Sequence, residues 1–118
     1  MTELIACLST GKGTWIPVIK LINEHEWDQI FLIGTDFARQ KFNPKKQVEF
    51  IIIDPRRPTK QLVQDIKSQL EKKIKGTQVA LNLASGTGNE HMAVLSALLK
   101  LGLGIRLVSI TKQGFDEI

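Results

Sequence analysis

Short apolar runs alternate with amphipathic stretches along the whole chain. Five of these runs have the length and residue types of buried β-strands, and they lie at residues 4–8, 29–33, 48–53, 78–84 and 105–110. The consecutive isoleucines at 51–53 are typical of a strand that is covered on both faces. The pattern therefore predicts five strands that are largely buried.

Four amphipathic stretches separate or follow these strands, and their apolar residues recur at helical spacing. We predict helices over residues 15–25, 35–42, 59–75 and 90–101, with Thr59 or Pro58 opening the third. Pro17 fits the first turn of its helix, where the missing N–H has no partner to lose. Gly76 and Gly102 are placed to end the third and fourth helices. The last eight residues carry no clear pattern.

The alternation of strands and helices indicates the fold class. Strands that are joined by helices run parallel, and successive crossovers place helices on both faces of the sheet. We predict an α/β, three-layer Rossmann-like domain whose mostly parallel sheet has five strands, or six if the tail adds one. No repeat, low-complexity stretch or linker divides the chain, so residues 1–118 form a single domain.

Composition removes several classes of protein. The chain has 118 residues, of which 42% are hydrophobic and 24% charged, as in ordinary globular domains. The single cysteine, Cys7, excludes an internal disulfide and a cysteine-rich zinc site, and we interpret it as an inert core residue. No set of His, Asp, Glu or Cys has the spacing of metal ligands. We therefore expect neither a metal nor a cofactor.

The N-terminal segment argues against export. It carries an acidic residue, Glu3, where a signal peptide has basic residues, and its apolar run is short. No apolar stretch approaches the ~20 residues of a membrane span. We expect a mature cytoplasmic protein that makes no membrane contact.

Positive charge is concentrated in one part of the chain. The whole chain has a net charge of +4, but the segment from Arg39 to Lys75 holds eleven basic and four acidic residues. This charge fits either a solvated helix face with basic loops or a positive rim near an anionic ligand, and the sequence leaves both open. Direct DNA or RNA binding ranks behind the hypotheses below, because only Phe42 and Phe50 supply aromatic rings within the segment.

Two polar, glycine-containing turns carry the candidate chemistry. STGKGT follows the first predicted strand, SGTGNEH follows the fourth, and each leads into a helix. Glycine lets the backbone approach a ligand closely, a helix N-terminus offers unpaired N–H groups, and the hydroxyls and Lys12 add donors for an anion. Both turns belong at the carboxyl edge of a parallel sheet, where such folds bind ligands. The candidate ligand-binding residues are Ser9, Thr10, Gly11, Lys12, Gly13, Thr14, Ser85, Gly86, Thr87, Gly88 and Asn89.

Several of the polar residues near the turns also fit a purely structural role. Ordinary helix capping accounts for either turn taken alone. The first turn has neither the GxxxxGK[ST] spacing of a P-loop nor the GxGxxG spacing of dinucleotide-binding folds, so ATPase and dehydrogenase activities fit poorly. His91 is a candidate for proton transfer or phosphate contact, or a polar surface residue. Trp15 either stacks on a base or packs on the sheet, and Asp36 either binds a ribose or caps the second helix.

The chain resembles the CARF family, the CRISPR-associated Rossmann-fold domains. The resemblance extends from residue 4 to about residue 110 and is carried by LIACLSTGKGTW and by VALNLASGTGNEHMAVLSALLKLG with the following IRLVSI. CARF domains carry a segment similar to N-(I/L)-(T/S)-G-G-T-K, whose character is matched here by Asn82, Leu83, Ser85, Gly86 and Thr87. Ala84 is one extra residue, and Gly88 stands where a basic residue often follows.

The resemblance implies a homodimer that binds a cyclic oligoadenylate second messenger across its two-fold axis, in antiviral defence linked to CRISPR. In some members the same pocket cleaves the ring without a metal, by attack of a ribose 2′-hydroxyl on its adjacent phosphate. For this chain, binding alone and binding with cleavage both stay open, because the basic residue of the second turn is absent. If the ring is cleaved, we expect Lys12 to stabilise the developing charge, Thr10 or Ser9 to orient the 2′-hydroxyl and His91 to transfer a proton.

A hypothesis from a different class stays open beside this one. The chain could be a non-catalytic regulatory module of the same fold that binds a mononucleotide or a protein partner. A site for a single nucleotide has no reason to prefer a two-fold ring, so a panel of adenine nucleotides distinguishes the two hypotheses.

Overall fold

The computed structural model describes residues 2–8 and 12–118. Within these residues one sheet contains the strands β1 Glu3–Cys7, β2 Gln29–Gly34, β3 Glu49–Ile52, β4 Gln78–Asn82, β5 Gly104–Thr111 and β6 Gly114–Glu117. The helices in the same part of the chain are α1 Trp15–Glu24, α2 Asp36–Lys41, α3 Thr59–Leu70 and α4 Gly88–Lys100. A short 3₁₀ turn over Lys12–Thr14 precedes α1.

The strand order of the sheet is β3-β2-β1-β4-β5-β6. Strands β1 to β5 run parallel, and β6 runs antiparallel to β5. The chain builds outward from β1 through β2 to β3, then returns to place β4 on the other side of β1 and builds outward again. The order therefore reverses between β1 and β4, where Ala6 pairs with Asn82. This arrangement confirms the predicted fold class, with a sixth strand formed by the tail.

The sheet is buried on both faces. Leu4 and its alternate neighbours pack with α1 and α2, whereas Ile5 and its alternate neighbours pack with α3 and α4. Successive residues of a strand point to opposite faces, so a strand between two helical layers is apolar at nearly every position. Trp15 is buried on the α1 side, with its ring edge-on to Phe42 at a centroid distance of 5.5 Å. The sequence leaves two roles open for Trp15, stacking on a base and packing on the sheet, and the structure shows packing on the sheet.

The third helix is shorter than predicted. It ends at Leu70, so the predicted end at residue 75 is wrong, and Gly76 does not cap it. The N–H of Lys73 donates to the Leu70 carbonyl at 2.9 Å and tightens the last turn. The N–H groups of Lys75 and Gly76 then donate to the buried carboxylate of Glu3. A side chain on β1, remote in sequence, therefore draws this segment away from the helix axis.

The fourth strand is also shorter than predicted, because it ends at Asn82. The Asn82 side chain accepts from the N–H of Ala84 at 3.1 Å and donates to the Val108 carbonyl at 2.9 Å. Because of these two hydrogen bonds, the chain leaves the strand two residues before the predicted end at residue 84. In consequence Gly88 and Asn89, which the sequence places in the turn, form the first turn of α4.

The cap of α2 is Thr35, whose hydroxyl accepts from the N–H of Ala38 at 3.3 Å. The prediction that Asp36 caps this helix is wrong. Asp36 is its first residue, and its carboxylate accepts from the Gln40 side chain at 2.8 Å and pairs with Arg39. Thr35, one residue earlier, has the extended backbone conformation that an N-cap residue needs.

The tail is held by aromatic contacts on the α1 side of the sheet. The ring of Phe115 in β6 stacks on His25 at a centroid distance of 4.2 Å and meets Trp27 edge-on at 5.8 Å. Trp27 donates its indole N–H to the Leu21 carbonyl. Residues near the end of α1 thus form the surface against which β6 packs.

Candidate functional site

The two glycine-containing turns meet at the reversal of strand order. The hydroxyl oxygens of Thr14 and Ser85 lie 2.6 Å apart, although the residues are 71 positions apart in the chain. This contact confirms that the turns share the carboxyl edge of the sheet. Helix α1 starts here on one face and α4 on the other, so the turns form the kind of crevice in which doubly wound folds bind ligands.

The first turn is only partly described. Ser9, Thr10 and Gly11 lie outside the described residues, and of Lys12 only the backbone is described. Gly13 is exposed, and beyond its chain neighbours no atom of the described residues lies within 4 Å of the position of an added Cβ. The Thr14 hydroxyl does not cap α1 but makes the contact with Ser85. A threonine that precedes a helix therefore bridges two turns instead of making the ordinary capping bond.

The second turn is tightly fixed. Ser85 is buried, and Gly86 has a φ of +103°, which side-chain-bearing residues rarely adopt. The Thr87 hydroxyl accepts from the N–H of Glu90, and the Glu90 carboxylate accepts from the N–H of Thr87 at 2.7 Å. This reciprocal pair is a capping box, so capping explains Thr87. Capping does not explain Ser85 and Gly86, the residues of the turn that precede Thr87.

The N-terminus of α4 presents backbone donors to solvent. Gly88 and Asn89 are exposed first-turn residues. Their N–H groups find no acceptor within residues 2–8 and 12–118, whereas those of Thr87, Glu90 and His91 are all bonded. Free N–H groups and the helix dipole favour an anion at this point.

His91 is half-buried in the same helix, beside the second turn. Its Nε2 lies 2.8 Å from the carbonyl oxygen of Ser85. A carbonyl oxygen only accepts, so Nε2 carries the proton of this bond. His91 is thus engaged with the turn itself, which the sequence did not indicate.

Cys7 lies beneath the turn, since its Cβ is the nearest carbon to the position that a Cβ on Gly86 would take, at 3.1 Å. Burial, and secondarily the charge of Glu90, raise the pKa of the Cys7 thiol to about 12. The thiol is neutral near neutral pH and is a poor nucleophile. The prediction that Cys7 is an inert core residue is confirmed.

An open cavity lies elsewhere on the same edge. It is an open groove of about 820 Å³ beyond the ends of β2 and β3, with Phe37, Ile52, Ile53 and Pro55 in its walls. Its charged groups are paired, Arg56 with Asp54 at 3.0 Å and Arg57 with Asp65 at 2.8 Å. The hydrogen bonds from Arg56 lower the pKa of Asp54. The sequence did not predict this groove, although the two prolines of the Asp-Pro-Arg-Arg-Pro segment indicate a stiff connection there.

The basic segment from Arg39 to Lys75 is partly compensated, because six of its eleven basic residues have a carboxylate partner among the described residues. Its basic residues with a carboxylate partner are Arg39, Lys46, Arg56, Arg57, Lys67 and Lys73. Phe42 and Phe50 pack against each other with a centroid distance of 6.4 Å, at the core of the α1 face. About half of the segment's positive charge is therefore paired, and these two rings are not a platform for stacked bases.

Two further properties concern the described residues alone. No group of three or more His, Cys, Asp or Glu side chains among them is arranged to hold a metal ion. None of their helices combines the length and the apolar character that crossing a bilayer requires.

The fold and the meeting of the two turns define a Rossmann-like α/β domain with a candidate anion site at its strand-order reversal. No protein-family model matches the chain, and no curated protein sequence matches it at a significant level.

Proposed function

We propose that this protein is a CARF-like domain that binds a cyclic oligoadenylate at its two turns, as a homodimer, in CRISPR-linked antiviral defence. The observation that supports the proposal most is the 2.6 Å contact between Thr14 and Ser85 at the strand-order reversal. It joins the two segments that carry the resemblance into one surface. The free N–H groups of Gly88 and Asn89 give this surface donors for a phosphate.

The dimer is proposed because a ring with two-fold symmetry is best held by two copies of one surface. Ile16 and Met92 are more than half exposed, and they lie near the starts of α1 and α4, beside the turns. Exposed apolar side chains next to a polar site favour cover by a partner. Sedimentation with and without ligand tests this proposal, with one ring bound by two chains as the expected result.

Ring cleavage in this site needs only the ligand's own atoms and donors from the protein. The ribose 2′-oxygen forms a bond to the adjacent phosphorus, the bond from phosphorus to the 5′-oxygen breaks, and the proton lost by the 2′-hydroxyl ends on the 5′-oxygen. The products are linear and carry a 2′,3′-cyclic phosphate. The protein contributes in-line positioning and stabilises charge on the phosphate oxygens.

The test is to incubate the protein with cyclic tetra- and hexa-adenylate in EDTA and to separate the products by chromatography. Linear products establish a metal-independent ring nuclease. An intact ring that co-elutes with the protein establishes a sensor or a sponge for the messenger. An intact ring that does not bind rejects the proposal.

Lys12 is the residue we propose for charge stabilisation, on its place in the first turn. If cleavage occurs, Lys12→Ala is expected to lower the single-turnover rate by at least about tenfold, which corresponds to about 1.4 kcal/mol in the barrier. The matched control is Lys100→Ala, an equal change of charge at the far end of α4, which should leave the rate unchanged. Equal rates for both variants would remove Lys12 from the mechanism.

A second candidate function is favoured by the groove at β2 and β3. It combines an apolar wall, a Phe37 side chain that is 43% exposed and two arginines on its rim. A volume of about 820 Å³ is of the size that small-molecule sites have. These features support a non-catalytic module that holds one nucleotide, with the base against Phe37 and the phosphate at Arg57.

Titration with AMP, ATP and cyclic tetra-adenylate separates the two candidates. If the groove is the site, Arg57→Ala is expected to weaken AMP binding by about tenfold, because a charge-assisted contact is lost. Arg106→Ala, which breaks a surface ion pair on β5, is the matched control and should have no effect. Mononucleotide binding that is insensitive to Arg57→Ala would exclude the groove.

A further inference from the structure

His91 makes a contact that limits what it can do in the candidate site. Its Nε2 lies 2.8 Å from the Ser85 carbonyl oxygen, so this nitrogen is the protonated one. In the neutral ring the basic lone pair then belongs to Nδ1. A role as general base through Nε2 is incompatible with this bond.

The hydrogen bond from His91 acts on Ser85, the residue of the second turn that contacts the first turn. Ser85 is only 1% exposed, and its hydroxyl is the one that contacts Thr14 of the other turn. The next residue is Gly86, whose missing Cβ would meet His91 Nε2 at 3.1 Å. Without a donor at this place, the Ser85 carbonyl loses this hydrogen bond, which is one of the contacts that position the serine joining the two turns.

We propose that His91 is a positioning residue of this site, which holds Ser85 and Gly86 in place by donating Nε2–H, and that it does not transfer the proton in ring cleavage. The proposal rests on the proposed function of the two turns. Its effect on the ligand is indirect, since it keeps the Ser85 hydroxyl against Thr14 beside the free N–H groups of Gly88 and Asn89.

Two substitutions separate positioning from proton transfer. His91→Gln places an amide N–H near the position of Nε2 but offers no base, whereas His91→Phe keeps a ring of similar shape without a donor. We expect His91→Gln to bind cyclic tetra-adenylate within about threefold of the unaltered protein, and His91→Phe to bind it at least about tenfold more weakly. If the ring is cleaved, the single-turnover rate of His91→Gln should stay near that of the unaltered protein.

Two results would overturn the proposal. One is unchanged affinity in both variants with a rate that falls by about a hundredfold or more in both, which is the behaviour of a lost general acid or base. The other is a His91→Phe protein that binds and cleaves like the unaltered one. If binding occurs without cleavage, the affinities alone decide.

A separate measurement on the free protein keeps this inference distinct from the proposed function. The ¹⁵N shifts of the neutral His91 ring should show the Nε2-protonated tautomer. Amide exchange at Gly86 and Thr87 should be about tenfold faster in His91→Phe than in His91→Gln. If no cyclic oligoadenylate binds, the proposed function fails, and these readouts still decide whether His91 holds the turn. An Nδ1-protonated ring, or equal amide exchange in the two variants, would overturn the inference that His91 holds the turn.

Discussion

Replacing Gly86 with alanine is expected to lower the free energy of unfolding by about 3 kcal/mol, from backbone strain together with disturbed hydrogen bonds. The backbone of Gly86 has a φ of +103°, outside the regions that alanine readily occupies. If the proposed function holds, the same substitution should weaken cyclic oligoadenylate binding by more than about tenfold, because the turn has to move.

The surroundings of Gly86 make the strain hard to relieve. An added Cβ would lie 3.1 Å from each of three atoms, Cys7 Cβ, Glu90 Oε1 and His91 Nε2. Cys7 is fixed in the central strand, Glu90 is engaged in the capping box, and His91 is bonded to the Ser85 carbonyl. Each neighbour can make room only by giving up packing or a hydrogen bond.

Gly88→Ala is the matched control, two residues further on. Gly88 is the first residue of α4, and apart from its chain neighbours and the nearby backbone of α4, no atom of the described residues lies within 4 Å of its Cβ position. Alanine there should leave the stability unchanged or raise it by up to about 1 kcal/mol, since it restricts the unfolded chain without strain. Urea unfolding of the two variants measures the difference. Equal stabilities would show that the second turn is not constrained as described.

The fold was predictable from the sequence because buried parallel strands have a distinctive composition. Residues 51–53 and 29–33 have apolar side chains at nearly every position, and only a sheet covered on both faces requires this. The amphipathic segments between them gave the alternation of strand and helix. Those two features are enough to define a doubly wound domain, and the structure has one.

The errors in the elements came from long-range side-chain contacts. The pattern of apolar residues in α3 continues to Ile74, but the helix ends at Leu70 and the chain then turns to the carboxylate of Glu3. Strand β4 stops at Asn82 because that side chain bonds to β5. Strand β6 depends on His25 and Phe115, which are 90 positions apart. Local periodicity carries no information about such partners.

The candidate site was predictable in its location and not in its geometry. Serine, threonine and glycine after two strands placed the turns on one edge, and the contact of Thr14 with Ser85 agrees with that. The bond from His91 to Ser85 depends on the path of the turn, which the spacing of residues does not specify. The groove beside Phe37 is formed by α2, the end of β3, the loop that follows it and α3 together, so no single segment carries its signal.

Glu3→Ala is expected to lower the free energy of unfolding by about 3 kcal/mol and the Tm by about 10 °C. The carboxylate is 4% exposed and accepts hydrogen bonds from three donors: the Gln29 side chain at 2.6 Å, the N–H of Gly76 at 2.8 Å and the N–H of Lys75 at 3.1 Å. Alanine leaves these donors without their acceptor and leaves a space where the carboxylate was. Glu3→Gln should recover only part of the loss, because its NH₂ group would face N–H donors.

Glu26→Ala removes the same charge from a side chain that is 84% exposed, and it should change the stability by no more than about 0.5 kcal/mol. Glu3 lies at the start of β1, at the opposite edge of the sheet from the two turns. If a cyclic oligoadenylate binds at the two turns, the fraction of Glu3→Ala protein that stays folded should therefore bind it normally, in contrast to Gly86→Ala, which should lose both stability and affinity. A Glu3→Ala protein as stable as Glu26→Ala would mean that the carboxylate does not hold the segment after α3. A folded Glu3→Ala protein with weakened binding would mean that the two edges of the sheet are coupled.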